Sequence, residues 1–118
     1  YLGYSTRAAE PDDVRLRLRP DGSVAAVGKR LPLGESHGIS AGLLLVRGAE
    51  AREEFMTHLT RAVGDGEGSE VPVIWHDLVD RLAATPGRVR AIPLDDTWWR
   101  EVDTPEDHDA LQAFLTGR

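Results

Sequence analysis

Apolar and polar residues alternate strictly over positions 14–19, and an extended pattern resumes over 24–27 after Pro20, Asp21, Gly22 and Ser23. A period of two puts Val14, Leu16 and Leu18 on one face of a strand and Arg15, Arg17 and Arg19 on the other. With turn chemistry between the two runs, this stretch predicts a β-hairpin. The arginine row could meet a phosphate, but a solvated sheet face that also discourages edge pairing is the expectation. A loop over 31–38 leads into a continuous apolar run at 39–46, which suits a strand buried on both faces. The period then changes: Ala51, Phe55, Leu59 and Ala62 recur at helical spacing and predict an amphipathic helix over 49–63. Residues 64–69, rich in glycine, are expected to form a mobile surface loop. Trp75, Leu78, Val79, Leu82 and Ala83 define a second helix, opened near Pro72 and closed by Pro86 and Gly87. A strand over 88–94 and a helix over 104–116, ended by Gly117, complete the pattern. Thr104 is a good N-cap, Pro105 fits the first helical position, and Asp107 can close a capping box. The order of hairpin, strand, helix, helix, strand and helix predicts a mixed α/β domain with some antiparallel pairing.

Composition narrows the classes of function. The chain has 118 residues, enough for one domain with a modest core. A net charge of −6 and a pI near 5.1 argue against a nucleic-acid surface, because phosphate backbones require a basic patch. Cysteine is absent, which excludes disulfides, thiolate nucleophiles and cysteine zinc sites. The longest apolar run is too short to span a bilayer and there is no signal-peptide pattern, so the cytoplasm is the expected location and no membrane contact is expected. The sequence begins with Tyr1 rather than Met and reads as a piece of something longer. His37, His58, His76 and His108 lack zinc-binding spacing, and His58 and His76 are expected on helix surfaces or margins. No serine lies in a Gly-x-Ser-x-Gly elbow, and no glycine-rich phosphate loop is present.

The strongest chemical signal is Glu101-Val102-Asp103 immediately before the last helix. Read as a strand end, it points Glu101 and Asp103 the same way, a hard oxygen site suited to Mg²⁺. The positive end of the following helix favours an ionised Asp103. The same residues also fit an ordinary helix start with no metal. In Gly34-Glu35-Ser36-His37-Gly38 the glycines allow close approach of a ligand, and Glu35 can accept hydroxyl or amine hydrogen bonds; a plain turn before a buried strand fits equally. Lys29 can serve as a mobile cation for a substrate phosphate or simply as a solubilising charge. Trp98 and Trp99 point to alternate faces, one toward a core and the other toward a pocket or a quaternary ammonium group.

Three segments together resemble the C-terminal half of the sugar-phosphate and phosphocholine nucleotidyltransferases. They are the hairpin through Asp21 and Gly22 to Gly28 and Lys29, then Gly34 to Ser40, then Trp99-Arg100-Glu101-Val102-Asp103-Thr104-Pro105-Glu106-Asp107. Their order and spacing match across nearly the whole chain, and the phosphocholine cytidylyltransferase-like enzymes are the most similar subgroup. The resemblance implies a Rossmann-like half-domain over residues 1–118, with a strand near its start at 1–6. It implies a Mg²⁺-dependent transferase that moves a nucleotidyl group, cytidylyl by preference, from a nucleoside triphosphate such as CTP to a phosphorylated acceptor. Pyrophosphate leaves in that reaction. Asp103 is then the catalytic and metal residue, Glu101 a second metal ligand, and Lys29, Glu35, Trp98 and Trp99 substrate contacts. The family's nucleotide-binding half does not occur in these residues, so a separate N-terminal half or chain is the expected partner. The rival expectation is a non-catalytic binding or assembly module that keeps the fold. An apolar surface around 39–46 would favour a missing half, because removing one leaves core exposed.

Overall fold

The computed structural model describes residues 1–65, 74–95 and 99–117. Its strands are β1 (Leu2–Ser5), β2 (Arg15–Leu18), β3 (Val24–Gly28), β4 (Gly38–Leu44) and β5 (Ala91–Pro93), and its helices are α1 (Ala49–Asp65), α2 (Trp75–Ala83) and α3 (Pro105–Thr116). The strands form one mixed sheet in the order β3-β2-β4-β1-β5. All its pairings are antiparallel except β1 with β5. The predicted hairpin, both predicted middle helices and the terminal helix are present. α1 runs past its expected end to include Gly64 and Asp65, while the rest of the expected loop lies outside the described residues. The strand expected over 88–94 is shorter: Ala91–Pro93 pairs in register with β1, the flanking Arg90 carbonyl and Leu94 N–H each add a backbone bond to β1, and Arg90 makes an isolated bridge to Ser23.

Leu16 is fully buried, as the alternation requires, with Leu18 and Val14 packed against the same core. Leu2, Val24, Val27, Val79, Ala83 and Val89 complete that core. It therefore sits between the sheet and α2. Edge strand β3 is tied to this helix: the Val27 N–H donates to Asp80 Oδ1 at 2.7 Å, so a backbone group that would otherwise be unpaired is satisfied. Gly38 is required by close approach, since an added Cβ would lie 2.5 Å from the Ser5 carbonyl and 2.7 Å from the Tyr4 ring.

Two expectations are corrected. The arginine row is not a solvated face. Arg15 is 7% exposed, and its guanidinium donates to the carbonyls of Leu31 (2.7 Å), Glu10 (3.1 Å), Pro11 (3.2 Å) and Lys29. Arg17 pairs with Glu35 at 3.0 Å, and Arg19 donates to the carbonyls of Val24 and Ala83. At Arg15 the loops at 10–11 and 29–31 fold over the strand, and its guanidinium fork supplies the donors that their carbonyls need. Nor is the 39–46 run buried on both faces. Ile39 and Ala41 are buried, but Leu43 and Leu45 are 57% and 55% exposed. Gly42, at φ +71°, coincides with a register shift against β1, and such a bulge re-aims the residues beyond it. Among the described residues, β4 beyond Ser40 has a strand partner on one side only.

Candidate functional site

The α3 start is built as the sequence indicated. Thr104 Oγ1 accepts from the Asp107 N–H at 3.2 Å, and Asp107 Oδ2 accepts from the Thr104 N–H at 3.0 Å. A third bond, from the Asp103 N–H to Asp107 Oδ2 at 3.1 Å, extends this box by one residue. These donors hold the Asp107 carboxyl below the usual carboxylate range, the Asp103 bond contributing most. They also overturn the strand-end expectation: residues 101–103 are not a strand, because the Asp103 and Thr104 N–H groups are turned into the Asp107 carboxylate instead of a ladder.

Glu101 and Asp103 nevertheless share a recess. A cleft of about 640 Å³ is lined by Arg7, Glu10, Asp12, Asp13, Val14, Lys29, Ser40, Gly42, His76, Glu101, Asp103, Thr104 and Asp107. The 7–13 loop forms one wall, held by the Arg15 clamp and by an Arg7–Asp13 ion pair at 3.3 Å. The approach to α3 forms the opposite wall. Acid groups outnumber Arg7 and Lys29, so the cleft favours cations over most of its surface.

Glu101 reports this crowding. Its carboxyl is held above the usual range by burial first and then by the charges of Asp103 and Asp13, with Arg7 opposing. The residue as a whole is exposed, so it is the carboxyl end that meets the recess. A carboxyl raised in this way binds its proton more tightly in the folded chain than in the unfolded one. Its favourable contribution is complete below the ordinary value of 4.5 and is lost as pH rises through the raised folded value. At pH 7 the ionised Glu101 therefore opposes folding. Without divalent ions, Glu101→Gln should stabilise the chain at pH 7 by a few tenths of a kcal/mol, a gain kept small by solvent screening. Thermal melts should show the gain vanish near pH 4, where the native carboxyl is protonated. A lower Tm for Glu101→Gln at pH 7 would contradict the crowding.

The remaining expected site residues are dispersed. Lys29 lines the cleft with Glu101 and Asp103. Glu35 does not; it sits in a short 3₁₀ turn (Leu33–Glu35), and its carboxylate is engaged by Arg17 rather than held open for a ligand. Trp99 donates its indole N–H to the Ala41 carbonyl at 3.1 Å, and the Arg7 guanidinium lies 5.7 Å from its ring. It braces β4 against the approach to α3 and touches the cleft only through Arg7. Trp98 lies outside the described residues. Among the described residues, no group of three or more His, Asp and Glu is arranged to hold a metal ion by itself.

Sequence reasoning missed Ser40 and His76. The His76 Nε2 lies 2.8 Å from Ser40 Oγ, which also accepts from the Gly42 N–H at 3.2 Å. His76 is half-buried at the margin of α2, and its ring stacks on Trp75 at 3.7 Å between centroids. Burial holds the imidazole below the ordinary histidine value; Asp77 raises it and Lys29 lowers it further. The two residues stand 36 positions apart, and no local pattern marks the contact.

A smaller cleft of about 220 Å³ lies between α1, α2 and the end of β4, with Phe55, Val79 and Leu82 among its lining and an Arg88–Glu54 pair at 3.0 Å. It contains none of the sequence-predicted site residues. Among the described residues, no helix is long and apolar enough to cross a membrane. Comparison with protein-family models, curated protein sequences and solved structures finds no match for the chain.

Proposed function

We propose that this chain is the acceptor-binding and metal-binding half of a Mg²⁺-dependent nucleotidyltransferase, cytidylyltransferase-like in kind. It would act on a nucleoside triphosphate and a phosphorylated small molecule once a nucleotide-binding half is supplied. The observation that carries the reading is the joint presence of Lys29, Glu101 and Asp103 in one cleft, with Glu101 raised partly by the Asp103 charge. Mg²⁺ keeps several waters and is commonly bound by one or two carboxylates plus substrate phosphates, so a pair of acids fits it without a full protein cage. Glu101 and Asp103 would hold the ion, which supplies charge neutralisation at the transferring phosphoryl group. The protein's own part is positioning: Lys29 meets the acceptor's phosphate, and the capped α3 start fixes the backbone that carries Asp103. Exposed Leu43 and Leu45, beside the half of β4 that has one strand partner, support a covering half of the enzyme.

A second reading, a non-catalytic binding or assembly module with this fold, is favoured by the engagement of Glu35 and Trp99 in structural contacts. Paramagnetic Mn²⁺ separates the two. Substoichiometric Mn²⁺ should broaden amide signals over 101–107 in the native chain and leave them sharp in Asp103→Asn. Broadening spread evenly over all surface acids, or none at all, would leave the metal assignment without support and favour the module.

A further inference from the structure

We infer that Lys29, Ser40 and His76 form a subsite within the cleft that receives one tetrahedral oxyanion, such as a phosphoryl group. This deepens the functional reading above and rests on it only in placing a phosphorylated ligand in this cleft; it requires neither nucleotide nor metal. All three residues line the same recess, whose other charged groups, Arg7 apart, are acidic. Among the described residues Lys29 has no ion-pair partner, so its charge is available to a ligand.

The hydrogen bonds around Ser40 make the subsite responsive to protons. The backbone at Gly42, at φ +71°, places its N–H against Ser40 Oγ and fills one acceptor position. When His76 is neutral with its proton on Nδ1, the Ser40 hydroxyl donates to Nε2 and is used up. When Nε2 carries a proton, the imidazole donates to Oγ instead. Both acceptor positions of Ser40 are then filled, and its O–H is released to donate to a third partner. From the Nδ1–H tautomer, protonation of His76 thus adds a donor beside Lys29.

The charges around His76 make anion binding and protonation favour each other. Asp77 on its own helix favours the imidazolium, and Lys29 from the end of β3 disfavours it. Asp80, also on α2, is occupied by the Val27 N–H. Arg7, Glu10, Asp12 and Asp13 face the cleft from the 7–13 loop, and Glu101, Asp103 and Asp107 from the approach to α3. A dianion beside Lys29 cancels the opposing charge that Lys29 exerts on the imidazole. By linkage, protonated His76 must then bind the anion more tightly by the same factor.

Sulfate is a suitable probe, because it is tetrahedral and stays a dianion across the histidine range. Following the His76 ring by NMR, saturating sulfate should raise its titration midpoint by about one pH unit, equivalent to roughly tenfold tighter sulfate binding to the protonated form. Chloride at matched ionic strength should give a much smaller shift, which removes screening as the cause. Lys29→Gln, a change at an exposed residue, should abolish most of the sulfate effect with the fold intact. Ser40→Ala should weaken sulfate binding several-fold while His76 still titrates. Equal shifts with chloride and sulfate, or unchanged sulfate affinity in Lys29→Gln, would overturn the subsite. The two readings fail separately. Sulfate-linked protonation without nucleotidyl transfer leaves the subsite standing, and transfer without that linkage overturns the subsite alone.

Discussion

Replacing Arg15 with methionine should lower the unfolding free energy by about 3 kcal/mol. Hydrogen bonds to a charged donor contribute about 1.5–3 kcal/mol each, and four carbonyls depend on this one guanidinium, though their effects do not simply add. Methionine fills much of the same volume, so the loss reflects unsatisfied carbonyls rather than a cavity. Against a typical stability of 5–15 kcal/mol, the change is severe. It also has a functional side. Two of the four acceptors, Glu10 and Pro11, belong to the loop that lines the cleft, so Arg15→Met should loosen the wall carrying Glu10, Asp12 and Asp13. Arg15→Lys should recover only part of the loss, because one ammonium group cannot reproduce the fork. Urea denaturation measures this directly. A decrease under about 1 kcal/mol for Arg15→Met would show that water satisfies those carbonyls and that the clamp is not structural.

Asp103→Asn should behave in the opposite way, with little effect on folding and a large effect on turnover. Asp103 is exposed, and its backbone N–H, not its carboxylate, joins the α3 cap, so the amide replacement leaves the cap intact. A change at such a position stays within about 0.5 kcal/mol in stability. If Asp103 holds Mg²⁺ in the proposed assembled enzyme, its loss should reduce kcat/KM by about 10²–10³-fold, since the ion would stabilise several kcal/mol of transition-state charge. Asp107→Asn provides the contrast, because it weakens the carboxylate that accepts from both Asp103 and Thr104 and should disturb the helix start. Full turnover of Asp103→Asn in the assembled enzyme would remove Asp103 from the metal site.

What the sequence made legible was local. The period-two run and its turn specify β2 and β3, and Thr104, Pro105 and Asp107 specify the α3 start through bonds spanning three residues. What it concealed depended on distant contacts. Alternation correctly separates Leu16 from Arg15, but only the loops at 10–11 and 29–31 turn the Arg15 position into an interior one. The apolar run at 39–46 looked uniformly buried because hydropathy does not reveal a bulge, whereas the backbone at Gly42 changes which residues beyond it face inward. Glu101 and Asp103 were recognisable as paired acids, yet the side-chain cap competes with strand pairing for the same N–H groups, and the cap wins. Ser40 and His76 carried no signal, since their contact exists only once β4 and α2 are packed on the same core.

Pyrophosphate release from CTP and phosphocholine, with the chain assayed alone and with a nucleotide-binding half, is the most direct test of the proposed acceptor and metal half. Mg²⁺-dependent release is expected only from the pair, falling about 10²-fold or more with Asp103→Asn. Release by the pair that is indifferent to Mg²⁺ or to Asp103, or no release with any nucleoside triphosphate and phosphorylated acceptor, would contradict it.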